Sequence, residues 1–167
     1  SAKGVGLERL KSIVNKTLRV ISVAKGTLEN SQRTITIKTG LEKHNISLEV
    51  IASNVDEDEA KESLLAEGAS PLIISKNLAE LKSIKVSRKN PNRIVLGADS
   101  VISLENELIN KPKSREEALM ILKKLNNSKH YLISSVCISK NGAMIWNHSD
   151  TSELKMKDFK DEELVKY

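Results

Sequence analysis

Asp99 is the acidic residue whose surroundings most strongly suggest chemistry. It lies in the run 94–102, where strand-type apolar residues surround one carboxylate, with Gly97 before it and the hydroxyl of Ser100 beside it. This pattern predicts a buried strand that bends where Asp99 emerges. A buried carboxylate without a partner is costly. We therefore expect Asp99 to meet a cation, a metal or several hydrogen-bond donors.

Three further charged residues lie on segments that an α/β fold could bring to one edge. Lys82 lies on a predicted helix, on the same broad face as Leu78 and Leu81, while Lys111 follows a predicted hairpin strand and Glu57 ends an earlier strand. Lysines neutralise phosphate charge, and carboxylates hold Mg²⁺ and orient a water. Together with Asp99, these three residues could hold a triphosphate and its divalent metal. Spacing alone does not show that they converge, and each lysine taken singly is more typical of a solvated surface.

Alternating helices and strands must position these residues. Apolar residues at helical spacing, helped by acids that open one helix, predict helices over 6–15, 56–67, 70–86 and 114–125, with a short helix at the end of the chain. Alternating or continuous apolar runs predict strands over 18–23, 34–38, 46–52, 94–104, 107–109, 131–139, 143–148 and 153–157. Such alternation favours an α/β domain.

Local signals mark where several of these elements begin or turn. Ser70 before Pro71 is a helix N-cap signal, and Ser114 with Glu117 is a capping box. The pair Asn141 and Gly142 supplies the positive φ that a tight hairpin turn requires. These signals fix the ends of the elements that flank the candidate site.

Composition limits the classes of partner. The net charge of +5 favours anionic partners, although a lysine-rich solvated surface explains it equally simply. The aromatic content of 2% disfavours base-stacking platforms and hence nucleic acid as a partner. The lone Cys137 excludes an internal disulfide, and its place in a predicted strand indicates a buried, inert thiol. No apolar run approaches the roughly 20 residues of a membrane span, so we expect a cytoplasmic protein and no membrane partner.

Six short segments, in this order and at these intervals, give the sequence a specific resemblance. They are EVIASNVDE (49–57), LAELKS (78–83), LGADSVI (96–102), NKPK (110–113), REEA (115–118) and KHY (129–131). Residues 44–167 thereby resemble the Maf family of nucleoside triphosphate pyrophosphatases, also called septum-formation-inhibitor-like proteins. The resemblance implies an elongated α/β fold, with a twisted mixed β-sheet flanked by helices and a nucleotide cleft between two lobes.

The same resemblance implies an enzyme, its cofactor and its site. The implied reaction is hydrolysis of a nucleoside triphosphate, with a pyrimidine or modified base, to the monophosphate and pyrophosphate, with Mg²⁺ or Mn²⁺. Asp99 matches the family's catalytic acid, which helps to deprotonate the attacking water. Lys82 and Lys111 match phosphate-binding lysines, and Glu57 matches an acid that would hold the metal with Asp99. Ser100 stands where the family usually has Thr, at a position tied to substrate choice.

The amino-terminal part departs from the family pattern. Family members carry a Ser-x-Ser-Pro-Arg-Arg loop that grips the triphosphate, and the nearest candidate here offers Ser31 and Arg33 as phosphate ligands. An ungapped alignment instead places residues 34–37 at that loop, where their alternation fits a strand. We therefore treat 1–43 as an atypical segment of uncertain fold.

The carboxyl-terminal part departs as well. Residues 44–167 are expected to form a Maf-like domain that lacks the family's closing strands. Such a domain would leave a sheet edge unpaired, which favours association, and a homodimer is one possible form.

Three functions remain open on the sequence alone. The first is the pyrophosphatase, which predicts pyrophosphate release that depends on Asp99. The second is a catalytically impaired Maf-like remnant that binds nucleotide without turnover. The third is a basic nucleic-acid-binding module. Salt-dependent affinity for DNA or RNA would support it.

Overall fold

The computed structural model of the protein describes residues 20–25 and 39–166. The predicted helix over 6–15 and strand over 34–38 lie outside these residues, as do the candidate phosphate ligands Ser31 and Arg33. Within the described part, a mixed β-sheet carries helices, which confirms the predicted α/β class.

The sheet combines a parallel half with an antiparallel half. Its strands are β1 (Val20–Lys25), β2 (Ser47–Ala52), β3 (Ile94–Leu104), β4 (Glu107–Ile109), β5 (Lys129–Lys140) and β6 (Ala143–Lys155). The order is β2-β1-β3-β5-β6, and the short β4 pairs with the end of β3. β1 runs parallel to both β2 and β3, whereas β5 runs antiparallel to both β3 and β6. β3 is therefore the strand at which the two halves of the sheet meet.

Four helices lie wholly within the described residues, and residues 39–42 are helical as well. The four helices are α1 (Glu57–Ala66), α2 (Pro71–Lys89), α3 (Arg115–Leu125) and the single turn α4 (Asp161–Leu164). The predicted N-caps Ser70 and Ser114 accept hydrogen bonds from Ile73 and Glu117 main-chain N–H groups, at 3.4 and 3.1 Å. Asp56 caps α1 in the same way. None of these helices is both long and apolar enough to cross a membrane.

The main core lies between α2 and the middle of the sheet. Ile74 and Leu78 of α2 pack against Val101 of β3 and Ile133 of β5, and all four are buried. Since 19 residues of α2 lie along the sheet, this one helix sets the position of side chains on both β3 and β5.

The pairing confirms one strand prediction and corrects another. β3 continues through Asp99 with an unbroken register from Val95 to Ser103 against β5, so Asp99 lies inside a buried, paired strand as predicted, while the bend at this residue stays a prediction. The segments predicted over 143–148 and 153–157 belong to one strand, β6. The polar residues between them pair along the full length of β5, because main-chain pairing does not require apolar side chains.

The predicted turns have the expected backbone geometry. Asn141 and Gly142 have φ values of 52° and 78° at the β5–β6 turn, and Glu105 and Asn106 have φ values of 52° and 66° at the β3–β4 turn. These left-handed conformations confirm both hairpins.

Candidate active site

Lys82 joins two carboxylates from separate elements. Its Nζ lies 2.9 Å from Asp99 Oδ1 on β3 and 3.0 Å from Glu57 Oε1 at the start of α1. The side chains of Lys82 and Asp99 are 3% and 4% exposed, and that of Glu57 is 16% exposed. The structure thus brings three of the predicted site residues into one buried cluster, which holds one ammonium and two carboxylate groups.

The helical position of Lys82 explains why a lysine is buried here. It lies on the face of α2 that carries the buried Leu78, Ala79 and Ser83, whereas Leu81 is 42% exposed. The expectation that Leu81 shares this face is therefore wrong: successive helix residues are about 100° apart, and Leu81 lies on the side of Leu78 away from Lys82 and Ala79.

That close approach depends on Gly97. A Cβ at this position would lie 2.3 Å from the carbonyl oxygen of Ala79 and 2.8 Å from the main-chain nitrogen of Ser83. Gly97 and Asp99 lie two residues apart on β3 and therefore share a face. The absence of a side chain at Gly97 lets α2 come near enough for Lys82 to reach the acid.

The charge of Lys82 changes the acidity of Glu57. Burial raises the pKa of Glu57, but the charge and hydrogen bond of Lys82 act in the opposite direction, with smaller contributions from Lys111 and Lys61. The net result is a pKa below its ordinary value of 4.5. Glu57 is consequently a carboxylate at neutral pH.

A cleft of about 740 Å³ opens on the exposed side of Glu57. One wall is formed by residues 54–58, 61, 62 and 65, and the other by residues 110–113 and 117. Lys61, Lys111 and Lys113 bring positive charge into it, among several acids of α1. Lys82 and Asp99 are not among its lining residues, so Glu57 is the link between the buried cluster and the cleft.

Lys111 is held in the wall by the start of α3. Glu117 Oε2 accepts a hydrogen bond of 2.7 Å from the main-chain N–H of Lys113, which fixes the loop that carries Lys111. The two predicted lysines therefore act on the same acid from different directions, one in a buried ion pair and the other across the cleft.

Ser100 is not brought to this cluster. Neighbouring residues of a strand point to opposite faces of the sheet, and Ser100 Oγ lies 2.9 Å from Ser134 Oγ of β5. Its role in substrate choice stays a prediction.

Lys61 and Glu117 were not predicted as residues of the site. Lys61 follows Glu57 by four residues on α1, a spacing that places both on one helix face and could have indicated it. Glu117 was predicted as the acid of a capping box, whose carboxylate turns back to the main chain at the start of the helix; the bond observed is to Lys113, one residue before the N-cap.

Glu57 and Asp99 are the two carboxylates of the cluster that a divalent metal could bind. Among the residues that the structure describes, no group of three or more His, Cys, Asp or Glu side chains could hold a metal ion. Glu57 and Asp99 nevertheless place one oxygen each within 3.0 Å of the same nitrogen atom. Mg²⁺ is commonly held by one or two carboxylates, with waters and substrate phosphates completing its coordination. Both carboxylates already contact Lys82 Nζ, so a cation held by the pair would compete with this ammonium group.

Comparison with known proteins identifies the relatives of this chain. A family model described as "Maf-like protein" matches residues 38–167. A nucleoside triphosphate pyrophosphatase of Pelagibacter ubique is 59% identical over 127 residues, which are 76% of this chain and 65% of that protein. Another of that name, from Ruegeria pomeroyi, is 41% identical over 68% of this chain and 57% of that protein. A 7-methyl-GTP pyrophosphatase of Brucella abortus is 33% identical over 71% of this chain and 59% of that protein.

The chain thus spans between 57% and 65% of the length of these relatives. Among solved structures, a HAM1 protein from Coxiella burnetii is similar, with a TM-score of 0.50 and 15% identity, over 80% of this chain and 71% of that one. This likeness concerns the fold and supports the mixed α/β architecture.

Proposed function

Because the chain belongs to the Maf-like protein family, we propose that it hydrolyses a nucleoside triphosphate to the monophosphate and pyrophosphate. The observation that carries this proposal is the contact of Lys82 with both Asp99 and Glu57, beside a cleft that contains Lys111. Relatives named nucleoside triphosphate pyrophosphatase support the same reaction.

In the proposed reaction, a water attacks the α-phosphorus and the bond to the bridging oxygen of the β-phosphate breaks. Asp99 accepts the proton of the water. Negative charge grows on the non-bridging oxygens and on the leaving pyrophosphate, and cations placed there stabilise the transition state. Lys82 and Lys111 are the proposed cations. Since Nζ of Lys82 lies 2.9 Å from Asp99, a phosphate bound by this lysine would lie next to the base.

A divalent cation, Mg²⁺ or Mn²⁺, is part of the proposal. Glu57 and Asp99 would hold it, since carboxylate oxygens are its preferred ligands. When bound, such an ion supplies Lewis-acid neutralisation of phosphate charge.

For the base we propose a pyrimidine or a modified base. The relative named 7-methyl-GTP pyrophosphatase supports including modified bases among the substrates to be tested.

Pyrophosphate release with Mg²⁺ or Mn²⁺, over a panel of canonical and modified triphosphates, tests the proposal. Replacing a general base typically costs about 10²–10⁴-fold in rate, so we expect Asp99→Asn to lose at least about 100-fold. Glu107→Gln is the matched control, because it removes one negative charge from an exposed ion pair with Lys124. Absence of release that depends on Asp99 would overturn the enzymatic proposal. Calorimetric binding without turnover would indicate a nucleotide-binding protein.

A further inference from the structure

We propose that Ser75 is a positioning residue for Asp99, which holds the main chain of β3 where the acid must meet its substrate. The inference rests on the proposed function. Ser75 is fully buried on α2, and no part of the reaction scheme above uses it.

The hydroxyl of Ser75 is directed at the main chain of the acid. Its Oγ lies 3.1 Å from the carbonyl oxygen of Asp99 and 3.4 Å from that of Ile133 on the neighbouring strand β5. A hydroxyl has one proton to donate, and each carbonyl oxygen has two lone pairs. Ser75 can therefore donate to Asp99 while the ladder between β3 and β5 stays intact. This bond restrains the peptide plane after Asp99, and with it the direction of the Asp99 side chain.

Helix α2 also contacts the side-chain carboxylate of Asp99. Lys82 lies seven residues after Ser75, two turns along α2, and binds the Asp99 carboxylate at 2.9 Å. Between them, Gly97 of β3 fits against Ala79 of α2. Helix α2 thus holds the carbonyl of Asp99 through Ser75 and its carboxylate through Lys82. A small shift between helix and strand would move both contacts together.

If Ser75 had a purely structural role, its hydrogen bond would be equivalent to the other hydrogen bonds that join α2 to the sheet. Ser87 provides that comparison within the chain. It is as fully buried as Ser75, lies on the same helix about three turns further on, and accepts a 2.9 Å hydrogen bond from the main-chain N–H of Gly142 in the β5–β6 turn. It makes no hydrogen bond to Asp99. Ser75→Ala and Ser87→Ala each remove one buried hydroxyl from the same interface.

Steady-state kinetics and melting of the full chain separate the two roles. Displacements on the order of 1 Å can cost up to about 100-fold in rate. We expect Ser75→Ala to lower kcat about tenfold, with KM changed less than about twofold, whereas Ser87→Ala leaves both near wild type. The melting temperatures of the two variants should fall by similar amounts. Equal kcat for the two variants would overturn the proposal.

A second measurement does not depend on turnover. The ¹³C resonance of the Asp99 carboxyl group can be assigned by its loss in Asp99→Asn. It should shift in Ser75→Ala and stay in place in Ser87→Ala; an unchanged resonance, or the same shift in both, would overturn the proposal. If the wild type releases no pyrophosphate, the proposed function fails, and this resonance alone decides the role of Ser75. If Ser75→Ala does not fold, Ser75→Cys, whose thiol is a weaker donor, is judged by the same criteria.

Discussion

Lys82 illustrates how a charged residue is accommodated inside this protein. Removing an ammonium group from water costs several kcal/mol unless partners compensate. Here two carboxylates lie within 3.0 Å, one from β3 and the other from α1. The cluster therefore ties α1, α2 and β3 together, and its stability contribution depends on all three side chains being present.

Lys82→Met should destabilise the protein by about 3–5 kcal/mol, because it leaves a buried carboxylate without its cation. Urea unfolding at neutral pH measures the change. Lys124→Met is the control, since Lys124 pairs with Glu107 on the surface, where such a pair contributes about 0–1 kcal/mol. Similar losses in the two variants would show that the buried cluster contributes no more than a surface ion pair.

The sequence predicted the members of this cluster better than it predicted their surroundings. Asp99 was expected to meet a cation, a metal or several hydrogen-bond donors, because a lone carboxylate in an apolar strand requires a partner, and in the structure it meets the ammonium group of Lys82. The exposure of Leu81 could not be predicted in the same way. Helical spacing allows both Leu81 and Lys82 on a broad inner face, and the rotation of the helix about its axis decides which of them faces the sheet.

Helix α2 approaches the sheet through small residues placed every fourth position. Ser75, Ala79, Ser83 and Ser87 are all fully buried. The hydroxyl of Ser83 lies 2.7 Å from that of Ser139 on β5, which satisfies two buried polar groups at once. The interface is therefore close and partly polar, and it holds the helix at a defined height above β3.

Gly97→Ala should destabilise the protein by about 1–3 kcal/mol, the usual cost of overpacking, because the new methyl group would meet the main chain of α2. Thermal melting measures the loss, and pyrophosphate release should fall with it as Lys82 moves away from Asp99.

Gly40→Ala is the control for this substitution, since a Cβ there has nothing within 4 Å. A Gly97→Ala protein as stable as Gly40→Ala would show that α2 can move away from the sheet without cost.

Element boundaries followed from local chemistry where a local signal existed. Ser70, Ser114 and the Asn141–Gly142 turn were predicted correctly, because caps and turns are decided by a few neighbouring residues. The continuity of β6 was not predicted, because its polar middle is stabilised by the partner strand β5 and carries no signal of its own. Pairing between strands is where the sequence alone becomes insufficient, even within a hairpin.

At the scale of the whole molecule, Cys137 reports on opening of the sheet. It lies on β5 opposite Gly97, is 1% exposed, and burial raises the pKa of its thiol. The folded protein therefore keeps the proton at a pH where the unfolded chain begins to lose it. The contribution of this thiol to the stability of the folded protein is fully present below the pKa that the thiol has in the unfolded chain. It is lost as the pH rises through the pKa that the thiol has in the folded protein.

We expect a thiol reagent such as dithionitrobenzoate to label Cys137 only when the sheet opens. The labelling rate should rise with urea in parallel with unfolding measured by circular dichroism, and stability should decrease toward alkaline pH. Rapid, complete labelling under native conditions would contradict the buried position.

The position of β1 within the sheet could not be predicted from the sequence. A strand was predicted over 18–23 within a segment of uncertain fold, and the structure has it at Val20–Lys25, between β2 and β3. Nothing in a short run of apolar residues specifies which strands will flank it, because those partners lie far along the chain.

This arrangement has a consequence for how the protein is made. On the ribosome, β1 emerges before either of its neighbours, and β3 is the later of the two to appear. Until then the nascent chain exposes one unpaired edge of an apolar strand, the kind of surface from which aggregation begins. The interval before β3 leaves the ribosome is therefore the one in which we expect this chain to depend most on a chaperone.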